Sequence, residues 1–394
     1  MLMVSELLEL ARGTPPKIVP PGGAGQGRYV TGLGPVVVWN VCKHCNMHCP
    51  HCYAAAITRP DDQDLGFEEG CHLLDDLRTI DAMAVIFSGG EPMLRRDILP
   101  LIRYAKKIGH RPQLSSNGVM ITHEVARDLA AAGVEYVGIS IDGTQEFNDR
   151  YRGMEQGYER AFRGADASLA AGMKVGIRMT VSRQNSGQIH ELLDEVVRRR
   201  IQRFYVSHLV YSGRARDDHS YDLSVTENRA LVEELFTRAD RLLDEGAVTR
   251  VVTGGNDVDG PFLYFYVLKR YGELAARRVL KRLEARGGNS AGEKVINIDN
   301  RGNVHPDQFW TDARLGNVRH TPIAEILRHP LVGELRSRVE RLEGKCRECA
   351  FKAACRGSHR ERALASGGGL WSPDPSCYLT DAEIRRETVC EATA

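Results

Sequence analysis

Cysteine placement constrains this chain more than any other feature. Ten cysteines are present, and eight of them fall into two short groups. Cys42, Cys45, Cys49 and Cys52 lie near one end, and Cys346, Cys349, Cys355 and Cys377 near the other. Only Cys71 and Cys390 stand apart. The first 13 residues, MLMVSELLELARG, place Glu6 and Glu9 inside the apolar stretch and carry no basic leader, so a secretory signal is not expected. The expected compartment is the cytoplasm, where thiols stay reduced. In that setting two local cysteine groups point to two metal sites rather than to a disulfide frame.

Composition narrows the class. The 394 residues carry 53 Lys plus Arg against 52 Asp plus Glu, a net charge of +1. A globally basic nucleic-acid binder is excluded. No apolar run approaches the ~18 residues that cross a bilayer, so no membrane partner is expected.

Residues 1–30 read as an irregular extension, with Pro15, Pro16, Pro20, Pro21 and a glycine-rich run after them. Beyond them, short β-branched runs alternate with stretches of helical period. The runs are 36–39, 84–87, 112–115, 136–141, 175–181 and 204–207; the helical stretches are 67–77, 97–108, 123–132, 158–171 and 188–199. Six strand–helix units in series predict an α/β fold with a parallel sheet. Six are too few for the eight-unit closed barrel, so a partial, TIM-like (β/α)6 barrel over 31–220 is expected, with ligands at the C-terminal strand ends. Residues 221–290 read as a helical connector. A small C-terminal domain, 291–394, opens with a hairpin at 295–311 turning at Asp299–Gly302. Its last 50 residues have little periodicity and read as held by a metal.

The spacing Cys45-x3-Cys49-x2-Cys52 places three thiols on one tight loop after the first strand. Full protein ligation of a [4Fe–4S] cube takes four cysteines; three leave one iron for a ligand that is not protein. The alternative is zinc with Cys42 as fourth ligand. Zinc knuckles are normally separated by a dozen or more residues, whereas only three lie between Cys45 and Cys49. For the set Cys346-x2-Cys349-x5-Cys355 with Cys377, spacing fits a cube or a zinc tetrahedron equally.

With this triad the sequence resembles the radical S-adenosylmethionine (SAM) enzymes. Further motifs match in order: Ser88-Gly89-Gly90-Glu91-Pro92, Ser115-Ser116-Asn117-Gly118 and Ser140-Ile141-Asp142-Gly143. The resemblance implies a [4Fe–4S] cluster on Cys45, Cys49 and Cys52, with SAM on the open iron. It implies SAM contacts from Gly89, Gly90, Glu91, Asn117 and Ser140. Glu91 would accept a charge-assisted bond from the SAM ammonium, and the paired glycines would let backbone approach a ligand. Arg178, in the fifth strand, either faces a carboxylate inside the barrel or is a strand-face arginine without a role. The C-terminal cysteines resemble the SPASM and twitch extensions of this family. The fuller two-cluster version has further cysteines where this chain has none, and His359 stands at one such place. One auxiliary [4Fe–4S] cluster on Cys346, Cys349, Cys355 and Cys377 is therefore expected.

The stretches 302–310 and 356–363 resemble the radical SAM enzymes of heme d1 biosynthesis. This implies an iron tetrapyrrole substrate, 12,18-didecarboxysiroheme, losing two propionates on the way to the ring oxo groups. A flavodoxin- or ferredoxin-like electron donor is implied as well. Arg178, Arg214, Arg216, Arg356, Arg360 and Arg362 are candidates to clamp carboxylates, and His208, His305 and His359 to ligate the iron. Two alternatives stand: a heme propionate decarboxylase, and a peptide maturase. The short Pro/Gly-rich N-terminal segment is a poor peptide-recognition domain and counts against the last.

Overall fold

The computed structural model describes residues 1–14, 34–82 and 84–386. The Pro/Gly-rich stretch and Cys390 lie outside them. Seven strands run in chain order: β1 (Val36–Asn40), β2 (Ala84–Ser88), β3 (Arg111–Ser116), β4 (Tyr136–Ser140), β5 (Lys174–Val181), β6 (Arg203–His208) and β7 (Arg250–Gly254). Each pairs parallel with the next, β1 to β7. Their centres are continuous apolar runs, such as Val37–Trp39 and Val137–Ile139, as strands covered on both faces require.

Ten longer helices accompany them. They are α1 (Val4–Ala11), α2 (Phe67–Arg78), α3 (Ile98–Lys107), α4 (His123–Ala132), α5 (Gln145–Arg152), α6 (Gly157–Ala170), α7 (Ile189–Arg198), α8 (Val225–Asp244), α9 (Asp259–Tyr271) and α10 (Glu273–Arg286). Helices α2 to α8 fill the crossovers, which gives the six βα units expected from the periodicity. Termination follows local chemistry: α4 ends on Gly133 in the left-handed region, and Ser224 and Glu227 form a capping box on α8.

The sheet is wider than six strands, and this corrects the expected boundaries. Strand β8 (Val295–Ile298) lies parallel against β1, with Val37 opposite Ile296. It then turns into β9 (Asn303–His305), which pairs with β10 (Gly316–Asn317), both antiparallel. The predicted hairpin is therefore present, but its first strand belongs to the core sheet. Likewise β7 falls inside the expected helical connector. The order is β10-β9-β8-β1-β2-β3-β4-β5-β6-β7. The barrel stays open between β7 and β8.

The segment expected to be an irregular N-terminal extension contains α1, which seals the β7 edge. Leu2 exchanges backbone hydrogen bonds with Thr253, and the Val251 N–H donates to the Ser5 hydroxyl. Capping an edge strand in this way removes a site for unwanted pairing. Val4, Leu7, Leu8 and Ala11 are buried beneath it. Beyond β10 the chain runs through short helical turns to Arg385. No described helix is long and apolar enough to cross a membrane.

Candidate active site

A cavity of about 340 Å³ opens among the C-terminal strand ends. Its wall takes Val38, Ser88, Ser115, Ser140, Arg178 and Ser207 from six successive strands, the cysteine loop, and Phe309 and His359 from the C-terminal part. This is where a partial α/β barrel places its ligands.

Cys45, Cys49 and Cys52 all face this cavity. Burial pushes the Cys45 thiol up to about 12; the Met47 N–H opposes this, while Glu91, Cys49 and Cys52 add to it. Burial raises Cys49 too, with the Arg152 guanidinium pulling it back down. Three mutually repelling thiols held together in a partly buried loop suit a cationic iron–sulfur group, which binds them as thiolates and releases their protons. Cys42 is not part of the set. Its thiol donates to the Glu91 carbonyl at 3.3 Å, it is 2% exposed, and it packs in the core. The zinc alternative, which needs Cys42 as fourth ligand, is not supported by this geometry.

The loop carrying the triad is gripped from two sides. On one, Gly90 N–H donates to the Cys42 carbonyl and Glu91 N–H to the His44 carbonyl, both at 2.9 Å. A Cβ on Gly90 would stand 2.1 Å from the His44 oxygen. The glycine pair thus lets backbone approach backbone, and both glycines also line the cavity. On the other side, Arg214 donates to the Cys49 and Ala56 carbonyls at 2.7 Å each. Gly213, at φ +59°, lies against the Cys52 and Tyr53 carbonyls, with no room for a Cβ.

Glu91 departs from expectation. Its carboxylate is fully buried and is not among the cavity-lining groups. It accepts from the Ser116 hydroxyl and the Asn117 N–H at 2.7 Å each, and from the Met93 N–H at 3.1 Å. Burial raises its pKa, and these three donors oppose the rise. Glu91 therefore pins the end of β3 to the loop after β2. Asn117, so positioned, reaches the cavity and bonds Asn46 of the cysteine loop at 2.8 Å.

Arg178 faces the barrel interior. It lies opposite Ser140 in the sheet register, bonds the Ser115 hydroxyl at 2.6 Å, and lines the cavity. The other arginines divide. Arg214 lines the cavity but spends its donors on the cysteine loop. Arg216 pairs with Asp312, and Arg356 with Glu293 at 2.7 Å. Arg360 donates to the carbonyls of Leu370 and Ser372. Arg362 donates two parallel hydrogen bonds to the Asp374 carboxylate at 2.8 Å each and reaches the Leu209 and Gly255 carbonyls. Arg216, Arg356, Arg360 and Arg362 are not in the cavity wall; they bind the C-terminal part together.

Two site residues had no sequence signal beyond a turn-like Asp-Gly. Asp142, at the end of β4, pairs with Arg152 at 2.6 Å and with His51 at 3.3 Å, and accepts the Thr180 N–H. Arg152 is buried, feels the charge of Cys49 and Cys45, and sets a fixed cation beside the cysteine loop.

The C-terminal four influence one another's protonation. Burial raises Cys346 to about 11, with Cys377 and Cys349 adding to it, and burial raises Cys355 as well, with Asp257, Cys377, Cys346 and Cys349 contributing. Four thiols that feel one another in this way fit a fully protein-ligated cluster.

The histidine candidates separate cleanly. His208 bonds Asn228 and Asp259, and His305 bonds the Ala313 carbonyl and Asp299. His208 and His359 both line the cavity, but His359, 6% exposed, has a buried Nδ1 with no partner among the described residues. Its ring meets Phe309 edge-on at 5.5 Å, and Phe309 meets Tyr53 of the cysteine loop the same way.

Fold and site define a radical SAM enzyme. The radical SAM superfamily model matches residues 39–196, and an iron–sulfur cluster-binding (SPASM) domain matches 290–350. Fe-coproporphyrin III synthase of Methanosarcina barkeri is 39% identical over 356 residues, 89% of each chain. Pre-heme d1 synthase of Dinoroseobacter shibae is 38% identical over 357 residues, covering 90% of this chain and 88% of its own. The chain belongs to the radical SAM family, and its cofactors are SAM and [4Fe–4S] clusters. Among solved structures, anSMEcpe with bound AdoMet superposes with a TM-score of 0.68 at 16% identity, covering 87% of this chain and 93% of that one. At that identity the likeness concerns fold alone.

Proposed function

We propose that this enzyme trims side chains of an iron tetrapyrrole: it removes two propionates from 12,18-didecarboxysiroheme on the way to heme d1. The observation that carries the reading is the 38% identity to a pre-heme d1 synthase across nine-tenths of the chain. A second reading, formation of Fe-coproporphyrin III, has equal support from the M. barkeri relative. Relatives named for heme synthesis and for mycofactocin maturation are more distant, at 27% and 29%.

Cys45, Cys49 and Cys52 would hold the SAM-binding cluster, and Cys346, Cys349, Cys355 and Cys377 the auxiliary one. When bound, cluster and SAM supply a 5′-deoxyadenosyl radical that abstracts hydrogen from a substrate carbon. The protein's own part is orientation and exclusion of water. Gly89, Gly90, Asn117 and Ser140 offer the SAM-facing wall, with Glu91 fixing Asn117 from behind. Arg178 would fork a carboxylate. A flavodoxin- or ferredoxin-like donor in a cytoplasmic setting would supply the electron.

Replacing Cys45, Cys49 and Cys52 together with Ala is expected to halve bound iron and abolish 5′-deoxyadenosine formation, read by iron assay and chromatography. Retained SAM cleavage would refute the site. Anaerobic enzyme with SAM, dithionite and didecarboxysiroheme, followed by mass spectrometry, separates the substrate readings. Loss of two propionates supports heme d1 chemistry, Fe-coproporphyrin III the second reading. An unaltered tetrapyrrole refutes both.

A further inference from the structure

We propose that His359 is the axial ligand to the iron of the tetrapyrrole substrate. The inference rests on the tetrapyrrole reading and deepens it by naming the residue that holds the metal.

Three histidines, His51, His208 and His359, line the cavity. Both ring nitrogens of His208 are engaged, by Asn228 at 3.0 Å and Asp259 at 3.1 Å. His51 is paired through Nε2 with Asp142 and stacked on Tyr151 at 5.1 Å, inside the cysteine loop itself. His359 alone of the three has neither ring nitrogen bonded to a described residue. A buried imidazole without partners loses the hydrogen bonds that water gave it. Such a group in the wall of a ligand cavity calls for a ligand that supplies the missing contact.

The ring is held for that purpose. Its backbone N–H donates to Asp374 at 2.9 Å, and Asp374 is locked by Arg362. Phe309 fixes the ring plane edge-on. Iron takes the neutral imidazole as ligand. Burial and the nearby Arg362 guanidinium lower this imidazole to about 4, against the pull of Asp257 and Asp374, so the free form is neutral and no proton need leave on coordination. His359 and the SAM-cluster cysteines wall the same cavity. A tetrapyrrole anchored by its iron at His359 would therefore present its periphery within the chamber that the triad faces.

The auxiliary cluster competes for the same residue, since His359 follows Cys355 by four positions. Cys346, Cys349, Cys355 and Cys377 would supply the four thiolates that a fully protein-ligated cluster takes, so that cluster needs no imidazole.

The test uses full-length, anaerobically reconstituted protein carrying its clusters, with ferric Fe-coproporphyrin III and metal-free coproporphyrin III as probes. With cyanide added as the second axial ligand, wild type is expected to give the low-spin electron paramagnetic resonance signal of an imidazole- and cyanide-ligated ferric tetrapyrrole. His359→Gly should lose that signal, bind the ferric probe at least tenfold more weakly, and regain the signal on addition of free imidazole. Affinity for the metal-free probe should change less than twofold. His359→Gln, which preserves volume, should behave like the glycine variant without imidazole rescue. An unchanged low-spin signal in both variants would overturn the assignment. So would loss of iron from the C-terminal cluster, which would make His359 a cluster ligand. If wild type binds neither probe, the tetrapyrrole reading falls and this inference with it; binding of both probes without an imidazole signal overturns only the latter.

Discussion

At the residue scale, the cysteine loop owes its shape to neighbours distant in sequence. Arg214 spans two of its carbonyls, and hydrogen bonds from a charged donor are each worth about 1.5–3 kcal/mol. Arg214→Ala is expected to leave the fold intact but loosen the loop. Anaerobic transfer of iron to a chelator should then run several-fold faster from the N-terminal cluster, and unchanged kinetics would show that the arginine does not restrain it. Asp142 and Arg152 act on the other flank: a buried pair places positive charge against a loop that becomes anionic when its thiols ligate metal. Glu91 shows why residue type alone misleads. A carboxylate after two glycines resembles a ligand-binding group, yet its oxygens accept three of the chain's own donors and lie outside the cavity wall.

At the element scale, α1 covers an exposed edge. Among the described residues β7 has no strand beyond it; Leu2, just before the helix, closes it with backbone bonds at Thr253, and Leu8 of the helix is fully buried. Leu8→Ala should cost about 2–5 kcal/mol, as for other large-to-small changes in a core, measured by urea denaturation. A change below about 0.5 kcal/mol would mean that α1 contributes little to closing the sheet. The hairpin of β8 and β9 has a comparable role at the other edge. By joining β1 it makes the C-terminal part continuous with the barrel, and this continuity brings Phe309 and His359 into the cavity wall.

At the scale of the whole molecule, the cysteines couple metal content to pH. Burial raises Cys42 and Cys45 to about 12 and Cys346 to about 11 in the metal-free fold. An unfolded thiol titrates near 8.5. The fold therefore keeps protons that the unfolded chain loses, and the associated stability is complete below about pH 8.5 and falls as pH rises toward 11. Metal-free protein is expected to melt at progressively lower temperature above that pH. Cluster-loaded protein should show a shallower decline, because its ligand thiols are deprotonated in the fold already and Cys42 alone of these three still titrates. Parallel melting curves for the two forms would contradict the thiol assignment.

The sequence by itself determined that three cysteines share one loop, the six-fold strand–helix rhythm and the β8–β9 turn, because each depends on spacing within a few residues. Ligand reach on one loop and a two- or four-residue period are local properties of the chain. The structure alone decided that β7 and β8 extend the sheet, that Arg178 points inward while Arg356, Arg360 and Arg362 hold the C-terminal part together, and that Asp142, Arg152 and Arg214 surround the cysteine loop. These depend on which distant segments meet. A charged side chain carries no mark of its partner until the sheet order brings the two within hydrogen-bond reach. Three histidines that look alike in sequence part company for the same reason: the fold gives partners to His208 and His305, and leaves the ring of His359 without one.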